Sequence, residues 1–355
     1  MSPLLTFVLL PLAWLYAGVA AVRNWLYDTG LLAATGAAVP LINVGNLRVG
    51  GTGKTPHVAW VVELLRNLGQ QPAILSRGYG RGTKGFRLAR PTDTAATIGD
   101  EPWQHFHEFG GAVPVAVDED RRHGLAELAA LQLPISAVVL DDAYQHRRVQ
   151  PTLNILLTEQ ARPFWHDYVL PAGRLRESRR GARRADVVIV TKCPPQWPET
   201  AQHAAAEQVR RYARPDVLVL FSSYIYGRPV PVSGALTYSL PTSGSEVLVL
   251  TGIAQPEPLL AYLREAGYRV VRHMSYADHH AFTSAELAEA AAVLQPGQVV
   301  LTTQKDAARL REPHLRTAVA SLPLFYVPIR VSFLADGAER LHALLMPLLT
   351  PQPVA

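Results

Sequence analysis

Residues 45–57 read GNLRVGGTGKTPH, and the fold turns on what this stretch does. An apolar run, VPLINV at 39–44, precedes it, and HVAWVVELLRNLG follows from residue 57 with apolar residues at helical spacing. The order is strand, glycine-rich turn, helix. A phosphate-binding loop needs that order, because glycines let successive backbone N–H groups point into one concavity and the helix presents its positive N-terminal end. Lys54 stands where a lysine reaches the outer phosphates of a nucleotide such as ATP. Gly50, Gly51, Thr52 and Gly53 form the turn, and the Thr55 hydroxyl is placed to ligate magnesium. One position departs from the pattern G-x-x-x-x-G-K-[ST]: Arg48 occupies the first glycine's place.

The second signal is ISAVVLDDAYQHRR, residues 135–148. A buried strand ending in acids puts a carboxylate opposite a phosphate loop, since ligands of α/β sheets sit at the carboxyl ends of strands. One of Asp141 and Asp142 is expected to hold magnesium or its waters, as adjacent carboxylates suit a hard cation.

Between and beyond these motifs, short β-rich runs alternate with helical stretches. PAILS, VPVAV, ISAVVLD, LNILL, DVVIVTK and DVLVLFS read as strands of a first domain, and EVLVLTG, YRVVRHM, QVVLTT and LPLFYVPI as strands of a second. Residues 224–244, rich in Pro, Gly and Ser, separate the two sets. The expected architecture is α/β and P-loop NTPase-like, a mainly parallel sheet covered by helices with a second, smaller α/β domain. The expected division is an apolar membrane helix over 1–35, a nucleotide-binding domain over 36–224, a connector over 225–244 and the smaller domain over 245–355.

The 355 residues, 48% hydrophobic and 18% charged, suffice for two domains with full cores. The lone Cys193 excludes a disulfide framework or a cysteine-rich zinc site and reads as a buried thiol. A net charge of +5 favours an anionic partner without choosing among nucleotide, nucleic acid and acidic lipid. Residues 3–22, PLLTFVLLPLAWLYAGVAAV, narrow that choice: they carry no charge and match the roughly twenty apolar residues that cross a bilayer. No basic segment precedes them, which argues against a signal peptide, and a buried core helix kinked at Pro11 is the second competitor. Trp14, Tyr16, Trp25 and Tyr27 suit an interface, and both spanning and lying in one leaflet stay open.

Three basic or acidic clusters remain. SRGYGRGTKGFR at 76–87 gathers Arg77, Arg81, Lys84 and Arg87 among glycines, which suits an anionic group or equally a hairpin with solvated arginines, and PAGRLRES at 171–178 adds Arg174 and Arg176. IGDEPW at 98–103 sets Asp100 beside Glu101. His105 and His107 read as structural, and His146 as a turn residue.

Taken in order, GNLRVGGTGKTP, SRGYGR, GDEP, VVLDDAYQHR, LPAGRLRE, VTKCP, TGIAQP, DHHAF and TTQKDAARL resemble the tetraacyldisaccharide 4'-kinase family of lipid A biosynthesis. YAGVAAVRNWLYD is similar to that family's membrane-proximal segment. Ala143, Tyr144 and Gln304 depart from the family pattern. The resemblance implies transfer of the γ-phosphate of ATP, with magnesium, to the 4'-hydroxyl of an acylated glucosamine disaccharide 1-phosphate. It places the protein at the cytoplasmic face of the inner membrane, with no nucleic acid partner. It also implies that Asp100 is the catalytic aspartate, that Glu101 holds magnesium waters or the loop, and that His279 of YADHHAF pairs with Asp100. Capping of the helix after Thr283 is the competing role for His279 and His280. A phosphate-loop GTPase or metal-insertion ATPase is the alternative class, but Pro194 in VTKCP stands where a guanine-reading aspartate is needed.

Overall fold

Strand β1 (Leu41–Asn46) is buried along its whole length, which only a central strand covered on both faces allows. The computed structural model describes residues 3–233 and 238–349. Around β1 the large sheet gathers β2 (Pro72–Ser76), β3 (Arg87–Leu88), β4 (Val115–Val117), β5 (Ala137–Asp141), β6 (Leu153–Glu159), β7 (Val187–Thr191) and β8 (Leu218–Tyr226). The small sheet contains β9 (Val230–Pro231), β10 (Glu246–Thr251), β11 (Arg269–Ser275), β12 (Val299–Thr303) and β13 (Leu324–Val327), and β14 (Ile329–Phe333) follows.

The orders are β14-β8-β7-β6-β1-β5-β2-β4-β3 and β11-β10-β12-β13-β9. Pairing is parallel from β4 to β8, and antiparallel where β3 and β14 close the edges. The chain leaves β1 toward β2 on one side, while β6 lies on the other, so the strand order reverses at β1. Ligands of such sheets bind at that reversal, outside the carboxyl ends of the strands. The loops after β1 and β5 open there.

Helix α2 (Lys54–Asn67) follows the first of those loops and buries Val58, Ala59, Val61, Val62 and Leu65 against the sheet. These positions recur at helical spacing, as a core-facing stripe requires. The small lobe has its own core, in which Leu248, Leu250, Val300 and Leu324 meet Leu287 and Leu310.

The expected division at 225–244 differs from the structure in two ways. Strand β8 runs through residue 225 to Tyr226, and the chain returns from the small lobe to pair β14 antiparallel with β8. Pro328 marks the return: without an N–H it cannot continue the β13 ladder, and the chain passes from one sheet to the other on either side of it. The helix Gly337–Leu349 then packs on the large lobe, with Leu341 and Leu345 in the main core. Residues 329–349 therefore belong with the first lobe, and β8 and β14 form the two-stranded link between lobes. Part of the connector, residues 234–237, lies outside the described residues.

Helix α1 (Pro3–Asp28) projects from this body. Phe7 is 72% exposed, Trp14 69% and Leu15 68%, while among the described side chains of the helix Ala13 alone is buried. Tyr16 donates to the Arg176 carbonyl (3.1 Å) and Asn24 to Glu177 (2.7 Å), so one face of α1 is docked and the opposite face is not.

The packing of the last helix is directly testable. Leu341→Ala or Leu345→Ala should destabilise the large lobe by about 2–5 kcal/mol, because each leaves a cavity under a closed sheet. Denaturant unfolding monitored with nucleotide binding checks this, and a loss below about 1 kcal/mol would place the helix outside the core.

Candidate functional site

The phosphate loop closes on a left-handed turn. Gly53, the residue before α2, has φ +90°, and a Cβ built there would fall 2.0 Å from the Tyr224 hydroxyl on β8. Glycine is therefore required twice over, for backbone conformation and for space. His57 fixes the turn from below, with Nδ1 2.7 Å from the Gly53 carbonyl and Nε2 2.9 Å from Ser222 Oγ; burial lowers its pKa to about 4 and keeps the ring neutral. Thr52 is buried, accepting from Asn46 at 2.6 Å, and its carbonyl accepts from Thr191 at 2.9 Å. Gly50, at φ +111°, and Gly51 have open space around them. Arg48 departs from the glycine pattern for a reason: its guanidinium turns inward to Asp167 (2.8 Å) and Glu159 (3.6 Å), away from the concavity.

Lys54 Nζ lies 3.5 Å from Asp142 Oδ2. Asp142 also receives both Nη atoms of Arg176 at 2.9 Å, a bidentate pair. Burial works to raise its pKa, but Lys54 and Arg176 outweigh burial and hold it below the ordinary carboxylate range. Asp141 is the opposite case. Burial and the charge of Asp142 push it up to about 6, against Lys54, Arg121 and a 3.2 Å hydrogen bond from Ser76. Asp142 sits at φ +52°, a strained conformation for a residue other than glycine, which turns its carboxylate toward the lysine.

Asp100 begins the helix Asp100–Glu108 of the large lobe, yet the groups that hold it come from the small lobe. Its Oδ2 receives Arg309 Nε at 2.9 Å, Arg309 Nη2 at 2.7 Å and His279 Nδ1 at 2.9 Å. Burial alone would raise its pKa; the His279 hydrogen bond and the Arg309 charge bring it down to about 2. Lys305 Nζ is 3.1 Å from His279 Nε2, and an ammonium only donates, so Nε2 accepts and Nδ1 carries the proton. The two neighbouring histidines divide their roles. His279, at φ +62°, meets Asp100, while His280 pairs with Glu286 (2.9 Å) in the first turn of the helix that Thr283 caps.

Between the lobes lies a cavity of about 390 Å³, lined by Thr55, Lys192 and Tyr224 from one side and Gln255, Gln304 and Lys305 from the other. Glu108 also lines it, and burial pushes its carboxyl up to about 7. A second cavity, about 340 Å³, separates α1 from segment 167–180 and is walled by Leu10, Trp14, Tyr168, Leu175, Arg179 and Arg180. That segment is bound to the phosphate loop: Arg176 N donates to the Leu47 carbonyl (2.7 Å) and Val49 N to the Arg174 carbonyl (2.9 Å).

Arg77 and Arg174 are exposed. The Arg81 side chain is buried: Nη2 meets Glu119 (2.7 Å) and the Gly85 carbonyl (2.7 Å), while Nε and Nη1 have no partner among the described residues. Glu101 follows Asp100 in the same first turn, where its charge acts on buried His105. His105 and His107 lie on a helix, where a spacing of two points them in different directions. Among the described residues no group of three or more His, Cys, Asp or Glu is placed to hold a metal by itself. Tyr144 packs against Gly45 and donates to the Gly181 carbonyl (2.8 Å), a structural use for a position that departs from the family pattern. The sequence motifs contained Arg309 and Lys305 without singling them out as site residues; only the fold brings Arg309 across to Asp100.

A phosphate loop on one lobe, facing a second lobe that grips a carboxylate across the cleft, defines a two-lobed P-loop phosphotransferase. Residues 5–349 match the profile of the family described as LpxK, tetraacyldisaccharide-1-P 4'-kinase. The tetraacyldisaccharide 4'-kinase of Bacteroides fragilis strain YCH46 is 42% identical over 347 residues, covering 94% of this chain and 90% of that protein. The tetraacyldisaccharide 4'-kinase of Cytophaga hutchinsonii is 38% identical, covering 95% and 94%. The crystal structure of "apo" form LpxK from Aquifex aeolicus in complex with ATP superposes with a TM-score of 0.75 at 28% identity, over 98% of this chain and all of that one. The chain belongs to the tetraacyldisaccharide-1-P 4'-kinase family.

The raised pKa of Asp141 has a signed consequence. The folded protein holds this proton up to about pH 6 while the unfolded chain releases it near 3.8, so ionised Asp141 costs stability that grows as pH rises between those values. Asp141→Asn should therefore stabilise the ligand-free protein at pH 8, by about 1–3 kcal/mol, and by little at pH 4. Thermal melts at the two pH values check this; an equal difference at both would contradict the assignment.

Proposed function

We infer that the protein transfers the γ-phosphate of ATP to the 4'-hydroxyl of a tetraacylated glucosamine disaccharide 1-phosphate, a step of lipid A biosynthesis. The observation that carries the chemistry is the cross-lobe Asp100–His279–Arg309 cluster beside a phosphate loop. A switch protein that only hydrolyses its nucleotide has no need of a held carboxylate for an alcohol acceptor. Family membership supplies the substrate.

The backbone N–H groups of Gly50 to Gly53 and the start of α2 receive the phosphates, and Lys54 meets their outer oxygens. Asp100 accepts the proton of the sugar hydroxyl through Oδ1, while His279 Nδ1–H orients Oδ2. A base with a low pKa suits phosphoryl transfer, whose loose transition state asks for proton removal late. Magnesium fits the residues present. Asp141, Asp142 and the Thr55 hydroxyl form an all-oxygen set, and the upward shift of Asp141 is that of a buried carboxylate short of positive charge. Thr55 and one of the two aspartates would hold the ion, whose charge would neutralise the phosphoryl oxygens, and Glu101 would hold its waters.

For the lipid, exposed Arg77 and Arg174 are suited to its existing phosphate, and the cavity under α1 joins apolar walls to Arg179 and Arg180. Helix α1 contains a stretch, Phe7–Asp28, apolar enough to cross a bilayer and hardly buried against the body. Because Tyr16 and Asn24 dock it sideways along segment 176–177, we propose that it lies in the cytoplasmic leaflet of the inner membrane with its free face in lipid.

Lys54→Ala and Asp100→Asn should each lower transfer of label from γ-labelled ATP to the disaccharide lipid by at least about 100-fold, with the fold intact. Near-normal transfer by either variant would remove that residue from the site. Leu12→Glu with Val19→Glu should release the protein from liposomes and leave ATP binding unchanged; unaltered cosedimentation would mean that another surface holds the membrane.

A further inference from the structure

Arg309 is not free to follow Asp100. Its Nη1 donates to Asp306 Oδ1 (3.0 Å) and to the Gly252 carbonyl (2.9 Å), both within the small lobe. Asp306 is itself buried and fixed, with Oδ2 accepting from Thr303 Oγ1 (2.7 Å) and from Gly252 N (3.1 Å). The small lobe thus holds the guanidinium plane and presents the remaining edge, Nε and Nη2, to the other lobe. Both of those atoms, and His279 Nδ1, converge on one oxygen of Asp100, Oδ2. Among the described residues nothing bonds to Oδ1. Mere neutralisation of a buried charge is served as well by donors spread over both oxygens. Three donors on one oxygen do something more specific: they fix the rotation of the carboxyl group and leave a single oxygen to receive a proton.

We propose that Arg309 is a positioning residue for phosphoryl transfer, a rigid small-lobe fork that sets the Asp100 carboxylate with Oδ1 toward the acceptor hydroxyl only when the lobes are together. The proposal rests on the reading of Asp100 as the base. It also assigns Asp306 a purpose, as the group that keeps the fork from turning. Since Asp100 belongs to the large lobe and every donor to Oδ2 belongs to the small lobe, opening of the β8–β14 link removes all of them at once. Base orientation and lobe closure are then one event.

Lysine cannot reproduce a planar fork whose third nitrogen is pinned, so the conservative substitution discriminates. Arg309→Met and Arg309→Lys are measured as full-length protein in the lipid-phosphorylation assay at saturating substrates, beside Asp100→Asn. The expected result is a kcat about 100-fold lower for Arg309→Met, the cost of a misplaced reacting group, with Arg309→Lys between it and wild type. KM for ATP and the melting temperature should stay near wild type in Arg309→Lys, and millimolar guanidinium should restore part of the rate of Arg309→Ala but none of that of Asp100→Asn. The proposal is overturned if both Arg309→Met and Arg309→Lys keep wild-type kcat while Asp100→Asn is slow. It is equally overturned if Arg309→Lys loses ATP affinity and melting temperature in step with kcat, which is the mark of a general structural role. If Asp100→Asn turns over like wild type, the base assignment itself falls and the proposal with it.

Discussion

A carboxylate half-buried at a joint between two bodies needs compensating charge, and Asp100 obtains that charge wholly from the opposite lobe. Burial penalises its ionised form, and Arg309 and His279 more than reverse the penalty. Removing one partner of such a pair leaves a charge only partly compensated by solvent. Asp100 thus helps to set the relative placement of the lobes, together with the β8–β14 pair and the packing of Ala308 against Ile98 and Trp103. The cavity between them, the approach of Gln304 and Lys305 to Thr55, and the position of His279 all depend on that placement.

At the phosphate loop of the large lobe the electrostatics are arranged in the reverse sense. Asp142 has two cations that outweigh its burial and is ionised, while burial and the charge of Asp142 outweigh Lys54 and Arg121 and raise Asp141. Segment 171–177 carries much of this arrangement. Its Arg176 clamps Asp142, its backbone bonds the residues leading into the phosphate loop, and its carbonyl and Glu177 receive Tyr16 and Asn24 of α1. The apolar helix and the phosphate site are therefore built on the same short piece of chain. That explains how an enzyme of this family keeps a lipid acceptor and a soluble donor within one site.

The phosphate loop and the acidic strand end were legible because both are local: the residues that make the chemistry lie within a strand, a turn and the first turn of a helix. Most strands were legible for the same reason, as short apolar runs between turn residues. Strand β14 was not. IRVSF follows LPLFYV with only Pro328 between, and nothing in that run says that the chain changes sheets there. Arg309 was equally silent, because its function comes from a contact with a residue 209 positions away. Arg81 was legible only in part. Arginines among glycines suit an anion, and only the structure shows that Nη2 of this one already meets Glu119 while Nε and Nη1 are buried without a partner among the described residues. The family resemblance supplied Asp100 and His279, which spacing alone did not.

The central claim is that ATP is used to make a phosphorylated lipid and not merely hydrolysed. It is tested most directly by ³¹P NMR of the lipid recovered after incubation of the protein with ATP, magnesium and a tetraacylated glucosamine disaccharide 1-phosphate. The account predicts a second phosphomonoester resonance on the lipid, coupled to the 4' proton, growing in equal amount with ADP. Formation of ADP with inorganic phosphate and an unchanged lipid spectrum would contradict it.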